Sequence, residues 1–130
     1  MELILDTEFV IALERERKKK HEGSAKQFLG KHRAEHFLIT FTVAGELACG
    51  RSAEAKLAWQ RLCQPFFIIH WNPEISWIYG KLYRQLHDSG NLIGTNDLWI
   101  AATVLHREAL LVSNNKRDFG RIPELKITGY

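Results

Sequence analysis

Four carboxylates stand where a chain of alternating strands and helices would place them at one edge. Asp6 follows the apolar run Leu3-Ile4-Leu5, and Asp97 falls in the first turn of a helix. Asp118 closes the polar run Ser113-Asn114-Asn115-Lys116-Arg117-Asp118, and Glu46 shares an apolar helical stripe with Val43 and Leu47. A carboxylate aimed inward is costly to bury unless it is paired or bound to a metal. Several in one crevice repel one another unless a cation neutralises them. An all-oxygen set, with no His or Cys joining it, suits Mg²⁺ or Mn²⁺ rather than zinc. That combination supports phosphodiester hydrolysis: metal-activated water attacks, and the metal stabilises the departing alkoxide. No side-chain nucleophile is then required. Nor does the chain offer a GxSxG elbow, a P-loop or a GxGxxG turn. Each acid also has a plain structural reading: Asp6 as a helix N-cap, Asp97 as a first-turn acid favoured by the helix dipole, Glu46 as the partner of an arginine.

The elements that would position these residues follow from patterning. Leu3–Leu5 reads as a strand, followed by a helix with Phe9, Val10 and Leu13 on its apolar stripe. Ser24–Leu29 reads as a short helix with Gly30 as its stop, and His36–Thr40 as a second strand. Thr42 is the expected cap of a helix from Val43 to Cys49, closed by Gly50. A helix from Ala53 to Leu62 ends at Pro65, Phe66–His70 gives a third strand, and Pro73 opens a helix to about Asp88. Thr95 or Asn96 can cap the next helix, in which Leu98–Leu105 is nearly all apolar. Ala109–Val112 suits a buried parallel strand, and Leu125–Thr128 a last one.

Strands alternating with helices predict a parallel sheet covered on both faces, with right-handed crossovers. An order of 3-2-1-4-5 sets strands one and four side by side at the topological switch point, where open α/β sheets bind ligands. Asp6 and the Ser113–Asp118 run would meet there. A receiver-type signalling switch shares that architecture. It would want paired acids after strand one and a phospho-accepting Asp after strand three, where this chain has His70-Trp71-Asn72.

At 130 residues, 45% hydrophobic and 25% charged, the chain is expected to form one globular domain over 1–130. A net charge of +3, from 18 Lys+Arg against 15 Asp+Glu, is compatible with a polyanionic partner without requiring one. No apolar run reaches the roughly 18 residues of a transmembrane helix. Met1-Glu2-Leu3 does not resemble a signal peptide, and Cys49 and Cys63 form no paired framework, so a cytoplasmic protein with reduced thiols is expected. The basic run Arg15–His21, with Arg15, Arg17, Lys18, Lys19 and Lys20, is either a solvated helix end or a phosphate-steering arm. Lys116 and Arg117 are further candidates for RNA contact. His32 and His36 have the spacing of a helical zinc pair but lack a third ligand nearby. Trp77 falls on a charged helix face beside Lys81, Arg84 and Asp88, where it either meets a partner or packs under a loop.

Leu5-Asp6-Thr7, Glu46 in a helix after a strand, the stretch Gly94-Thr95-Asn96-Asp97-Leu98-Trp99-Ile100-Ala101-Ala102 and the stretch Leu111–Phe119 together resemble PIN-domain proteins, and among them VapC-type toxins of VapBC toxin–antitoxin pairs. The resemblance covers essentially the full length. It implies a PIN-like three-layer sandwich and a Mg²⁺- or Mn²⁺-dependent endoribonuclease. By motif position Asp6, Glu46, Asp97 and Asp118 match the family's metal-binding acids. Asn115 matches the polar position of a T-x-N-x-x-D motif in which Ser113 replaces Thr, and Thr7 matches a hydroxyl that supports the first carboxylate. Where the family commonly has Asn or Ser, this chain has Glu8. The resemblance also implies an RNA substrate, a homodimer and a cognate VapB-type antitoxin whose C-terminal segment occupies the active-site groove, with Trp77 and the face near Trp99 as candidate contacts. The alternative is a PIN-like module that binds RNA or metal without cleaving. A DNA-directed nuclease of the same chemistry also remains open, since nothing in the sequence reads a ribose 2′-hydroxyl.

Overall fold

The run Glu2-Leu3-Ile4-Leu5 forms the central strand β1 (Glu2–Leu5). Successive strand residues point to opposite faces, and Leu3, Ile4 and Leu5 are exposed by 1%, 0% and 0%. Both faces of the sheet are therefore covered. The computed structural model describes residues 1–51 and 55–130. Around β1 run α1 (Thr7–Lys18), α2 (Ser24–Lys31), β2 (His36–Thr40), α3 (Phe41–Ala48), α4 (Lys56–Cys63), β3 (Phe67–Ile69), α5 (Pro73–Asp88), α6 (Thr95–Arg107), β4 (Leu110–Val112), α7 (Lys116–Phe119) and β5 (Ile127–Thr128). The sheet order is β3-β2-β1-β4-β5 with every pair parallel. The 3-2-1-4-5 order read from the alternation of elements is the one adopted.

Register fixes the functional edge. Ile4 pairs with Leu38, and Leu5 pairs with Val112. The ladder continues one step further, the Asp6 N–H donating to the Val112 carbonyl at 3.2 Å. Asp6 and Ser113 thus leave adjacent strands side by side, at the crevice where connections diverge.

Helix ends depart from the sequence expectations in instructive ways. Thr40, not Thr42, caps α3, its side chain accepting the Val43 N–H at 3.1 Å. Thr42 Oγ1 is instead a buried atom with no hydrogen-bond partner among the described residues. Neither Thr95 nor Asn96 caps α6: Gly94 occupies that position with no side-chain bond, and Thr95 is already helical. Gly30 does not stop α2, which runs on to Lys31 and closes at His32. His32 stacks on Phe28, with ring centroids 4.1 Å apart, while His36 begins β2, so the two do not share a helix face. The expected start of α4 at Ala53 lies outside the described residues, and β3, β4 and β5 are shorter than the runs Phe66–His70, Ala109–Val112 and Leu125–Thr128, whereas β2 has the expected bounds. The α6–β4 corner is made by Glu108 at φ 53°, a left-handed cap in which Glu108 N–H and Ala109 N–H return to Leu105 and Val104. That tight reversal leads α6, and with it Asp97, directly into β4.

Among the described residues no helix is long and apolar enough to cross a membrane. Trp77 stands 66% exposed, with the Arg84 guanidinium 5.9 Å from its ring centroid. Trp99 is packed instead, stacked on Tyr79 at 4.1 Å and edge-on to Phe41 at 5.9 Å.

Candidate active site

Asp6 is both a helix cap and part of the lining of an acidic cavity. Its Oδ1 accepts the Phe9 N–H at 2.9 Å, which starts α1, and the buried Ser113 hydroxyl donates to the same carboxylate. Burial pushes the Asp6 pKa up, against the pull of these two hydrogen bonds and with the charges of Glu8 and Glu46 adding to the rise. The helix-cap reading and the site reading are therefore compatible in one side chain.

Glu46 reaches the same place from α3. The Thr7 hydroxyl, in the first turn of α1, donates to its Oε1 at 2.8 Å. A threonine hydroxyl is thus a donor to this carboxylate. Asp97 enters from the first turn of α6 and is half-buried. Its pKa is raised to about 6, by burial first and then by the charges of Glu46, Asp118 and Asp6. The helix dipole would favour the ionised form by about 0.3–1 kcal/mol. Desolvation and three like charges outweigh it.

Asp118 is held from its own short helix. Asn115 caps α7 by accepting the Asp118 N–H at 3.3 Å, and its Nδ2 donates to Asp118 Oδ2 at 3.2 Å. Ser113 Oγ accepts the Asn115 N–H at 3.0 Å. A chain of hydrogen bonds thus runs from Asp6 through Ser113 and Asn115 to Asp118.

A cavity of about 190 Å³ opens among these groups, lined by Asp6, Thr7, Glu8, Glu46, Asp97, Asn115 and Phe119. No Lys or Arg is among the described residues that line it. Glu8, whose position left it either at the site or facing solvent, is exposed yet contributes to the rim. Among the described residues no three acidic side chains are drawn together closely enough to grip a bare ion. Mg²⁺ asks for less, since it keeps several waters and takes only one or two carboxylates directly. A lining without His or Cys, in which burial first and then the neighbouring carboxylates raise the Asp97 pKa to about 6, fits such a cation.

Beside this cavity, a groove of about 400 Å³ meets it at Glu46. Its walls carry Ile11, Leu47 and Leu62, and its rim carries Arg15, Lys18 and Lys19. Of the remaining basic candidates, Arg17 is paired with Glu14 at 2.6 Å, Lys20 lies beyond the end of α1 at φ 51°, and Lys116 and Arg117 are exposed on α7. No local pattern in the sequence marks this groove, because Ile11, Leu47 and Leu62 belong to three helices.

The PIN domain family model matches residues 3–125. The chain is 30% identical over 125 residues to a Haemophilus influenzae (strain R2866) protein named ribonuclease VapC1, covering 95% of this chain and 93% of that one. Among solved structures, VapBC-1 from nontypeable Haemophilus influenzae superposes with a TM-score of 0.81 at 25% identity, over 99% of this chain and 98% of the other. VapBC2 from Rickettsia felis, bound to a DNA fragment from its promoter, gives 0.80 at 25% identity, over 99% and 98%.

Proposed function

Since this chain belongs to the PIN domain family, we propose that it is the ribonuclease toxin of a toxin–antitoxin pair, cleaving RNA at the acidic cavity with Mg²⁺ or Mn²⁺. The relatives it matches over nearly their whole length are named ribonucleases, and its structural neighbours are toxin–antitoxin complexes. Its partner is accordingly a VapB-type antitoxin. The observation that carries the site assignment is geometric: Asp6 from the end of β1, Glu46 from α3 and Asp97 from α6 line one cavity, and Asn115, which also lines it, holds Asp118.

In this reading Asp6, Glu46, Asp97 and Asp118 hold the cation. When bound, a divalent ion supplies a water of lowered pKa and positive charge against the departing alkoxide. Ser113 and the Phe9 N–H orient Asp6, Thr7 orients Glu46, and Asn115 orients Asp118. The basic rim of the neighbouring groove draws the RNA backbone toward Glu46. The reading includes a homodimer, which light scattering of the purified chain would test.

Cleavage of a labelled RNA panel tests the function. Activity is expected with Mg²⁺ or Mn²⁺ and lost with EDTA. Asp6→Asn and Asp97→Asn should abolish it with folding intact, because asparagine serves as well as aspartate at the N-cap that Asp6 makes, and Asp97, inside the first turn of α6, makes no cap bond. Full activity in both variants would overturn the mechanism. Binding of the same RNAs without cleavage would favour the non-cleaving module.

A further inference from the structure

The loop that carries Ser113, Asn115 and Asp118 is also held from its outer side. Asn114 Oδ1 accepts the Tyr130 N–H at 2.9 Å, and Asn114 Nδ2 donates to the Tyr130 carbonyl at 3.2 Å. One side-chain amide therefore satisfies the backbone donor and acceptor of a single residue, as a neighbouring strand would. It prolongs the β4–β5 ladder, in which the Ser113 N–H donates to the Thr128 carbonyl at 2.9 Å. The fit is close, since a Cβ on Gly129 would stand 3.0 Å from Asn114 Oδ1.

Tyr130 is anchored on its other side as well. Its ring packs edge-on against Phe9, with centroids 4.7 Å apart. Phe9 is fully buried, and its N–H is the donor to Asp6. The Tyr130 phenol lies in the field of Asp6, Glu8 and Glu16, and burial together with those charges pushes its pKa up to about 12. It is a neutral group at any working pH. Residue 130 thus bridges the two elements that present Asp6 and Asp118.

We propose that the Asn114–Tyr130 clamp is a positioning device for the cleavage site, bracing the Ser113–Asp118 loop against the start of α1. It rests on the reading of the acidic cavity as the site of cleavage. Asn114 and Tyr130 act through Ser113, Asn115 and Phe9, and need not touch the substrate. A clamp of this kind changes the geometry of the reacting groups more than the affinity for RNA.

The test compares wild type with Asn114→Ala, Tyr130→Ala, Tyr130→Phe and Gly129→Ala in full-length protein. The readouts are kcat and KM on a cleaved RNA, thermal melting, and amide hydrogen exchange across residues 113–118. Both alanine variants at 114 and 130 should lower kcat roughly tenfold with KM little changed, and should speed exchange in the loop. Tyr130→Phe keeps the ring and both backbone bonds, so it should stay near wild type. Gly129→Ala leaves both partners in place and displaces Asn114, and should act in the direction of Asn114→Ala even if that variant folds poorly. Unchanged kcat or unchanged exchange in Asn114→Ala and Tyr130→Ala overturns the clamp. An inactive wild type would remove the nuclease reading alone, because exchange still decides whether Asn114 holds the loop.

Discussion

Thr7 and Glu46 are 39 positions apart in sequence, yet the threonine hydroxyl donates to Glu46 Oε1 at 2.8 Å. The bond joins the first turn of α1 to the middle of α3 and aims the carboxylate into the cavity that Asp6 and Asp97 share. A half-buried neutral-to-charged hydrogen bond contributes about 1.5–3 kcal/mol at most. Its loss is therefore expected to leave the fold standing while freeing Glu46 to turn away. Thr7→Val, nearly isosteric, should reduce cleavage roughly tenfold and weaken Mn²⁺ binding in a titration. Thr7→Ser should restore both. Equal metal affinity in wild type and Thr7→Val would show that Glu46 does not depend on this donor.

Asp97 makes metal-free stability depend on pH with a definite sign. Its folded pKa of about 6 lies above the ordinary 3.8, so the folded state holds the proton more tightly than the unfolded chain. Stability is then fully present below the ordinary value and is lost as pH rises toward and through 6. Asp6, shifted the same way by burial, adds to the slope. In EDTA the melting temperature should rise as pH falls from about 7 to about 5. Asp97→Asn should flatten that rise and melt higher than wild type at neutral pH. A variant that melts lower there would mean that the first-turn acid matters more to α6 than its repulsion costs.

Much of this arrangement was legible because strand ends and carboxylates coincide in sequence. Leu3–Leu5 before Asp6 and Ala109–Val112 before Ser113 read as strands, and the alternation with helices dictates the order that sets them side by side. What patterning could not show depends on tertiary choice. Thr40 and Thr42 flank Phe41 and either can cap a helix; only packing selects Thr40 and leaves Thr42 Oγ1 without a partner among the described residues. Trp99 looks like a surface aromatic until α5 brings Tyr79 against it. Glu8 follows Thr7 in a helix and so points elsewhere, but the cavity is wide enough to reach it. Asn114 reads as one more polar loop residue, since its partner lies 16 positions away in sequence.

Glu16 is the least readable residue of all, because it stands inside Arg15–His21, a run that otherwise reads as solvated. It is buried, and its two oxygens accept the N–H groups of Gly23, Lys26 and Ala25 at 2.8, 3.0 and 3.1 Å. Gly23 offers α2 no side-chain cap, so Glu16 serves as the cap from the neighbouring helix. Burial alone would raise its pKa, but the three backbone donors together hold it below the usual carboxylate value. Its contribution is therefore present above the usual value and lost as pH falls through the lowered one. Glu16→Ala should cost roughly 2–3 kcal/mol in urea unfolding at neutral pH, with less difference from wild type in acid. A cost below about 0.5 kcal/mol would place these bonds among ordinary exposed contacts.

The basic rim makes a prediction that separates binding from cleavage. Arg15, Lys18 and Lys19 border the groove that meets the acidic cavity at Glu46; Arg17 is held by Glu14 at 2.6 Å, whereas Lys18 lies 4.0 Å from that carboxylate. Each phosphate neutralised on a single strand contributes about 0.7 to the slope of log affinity against log salt. Replacing Arg15, Lys18 and Lys19 with Gln should therefore flatten that slope by about 2 and raise KM. The kcat at saturating RNA should hold, because none of the three lines the cavity of Asp6 and Asp97. Arg17→Gln should leave the slope nearly unchanged, which separates a located path from a general loss of positive charge. An unaltered slope in the triple variant would move the RNA off this groove, toward the exposed Lys116 and Arg117 of α7.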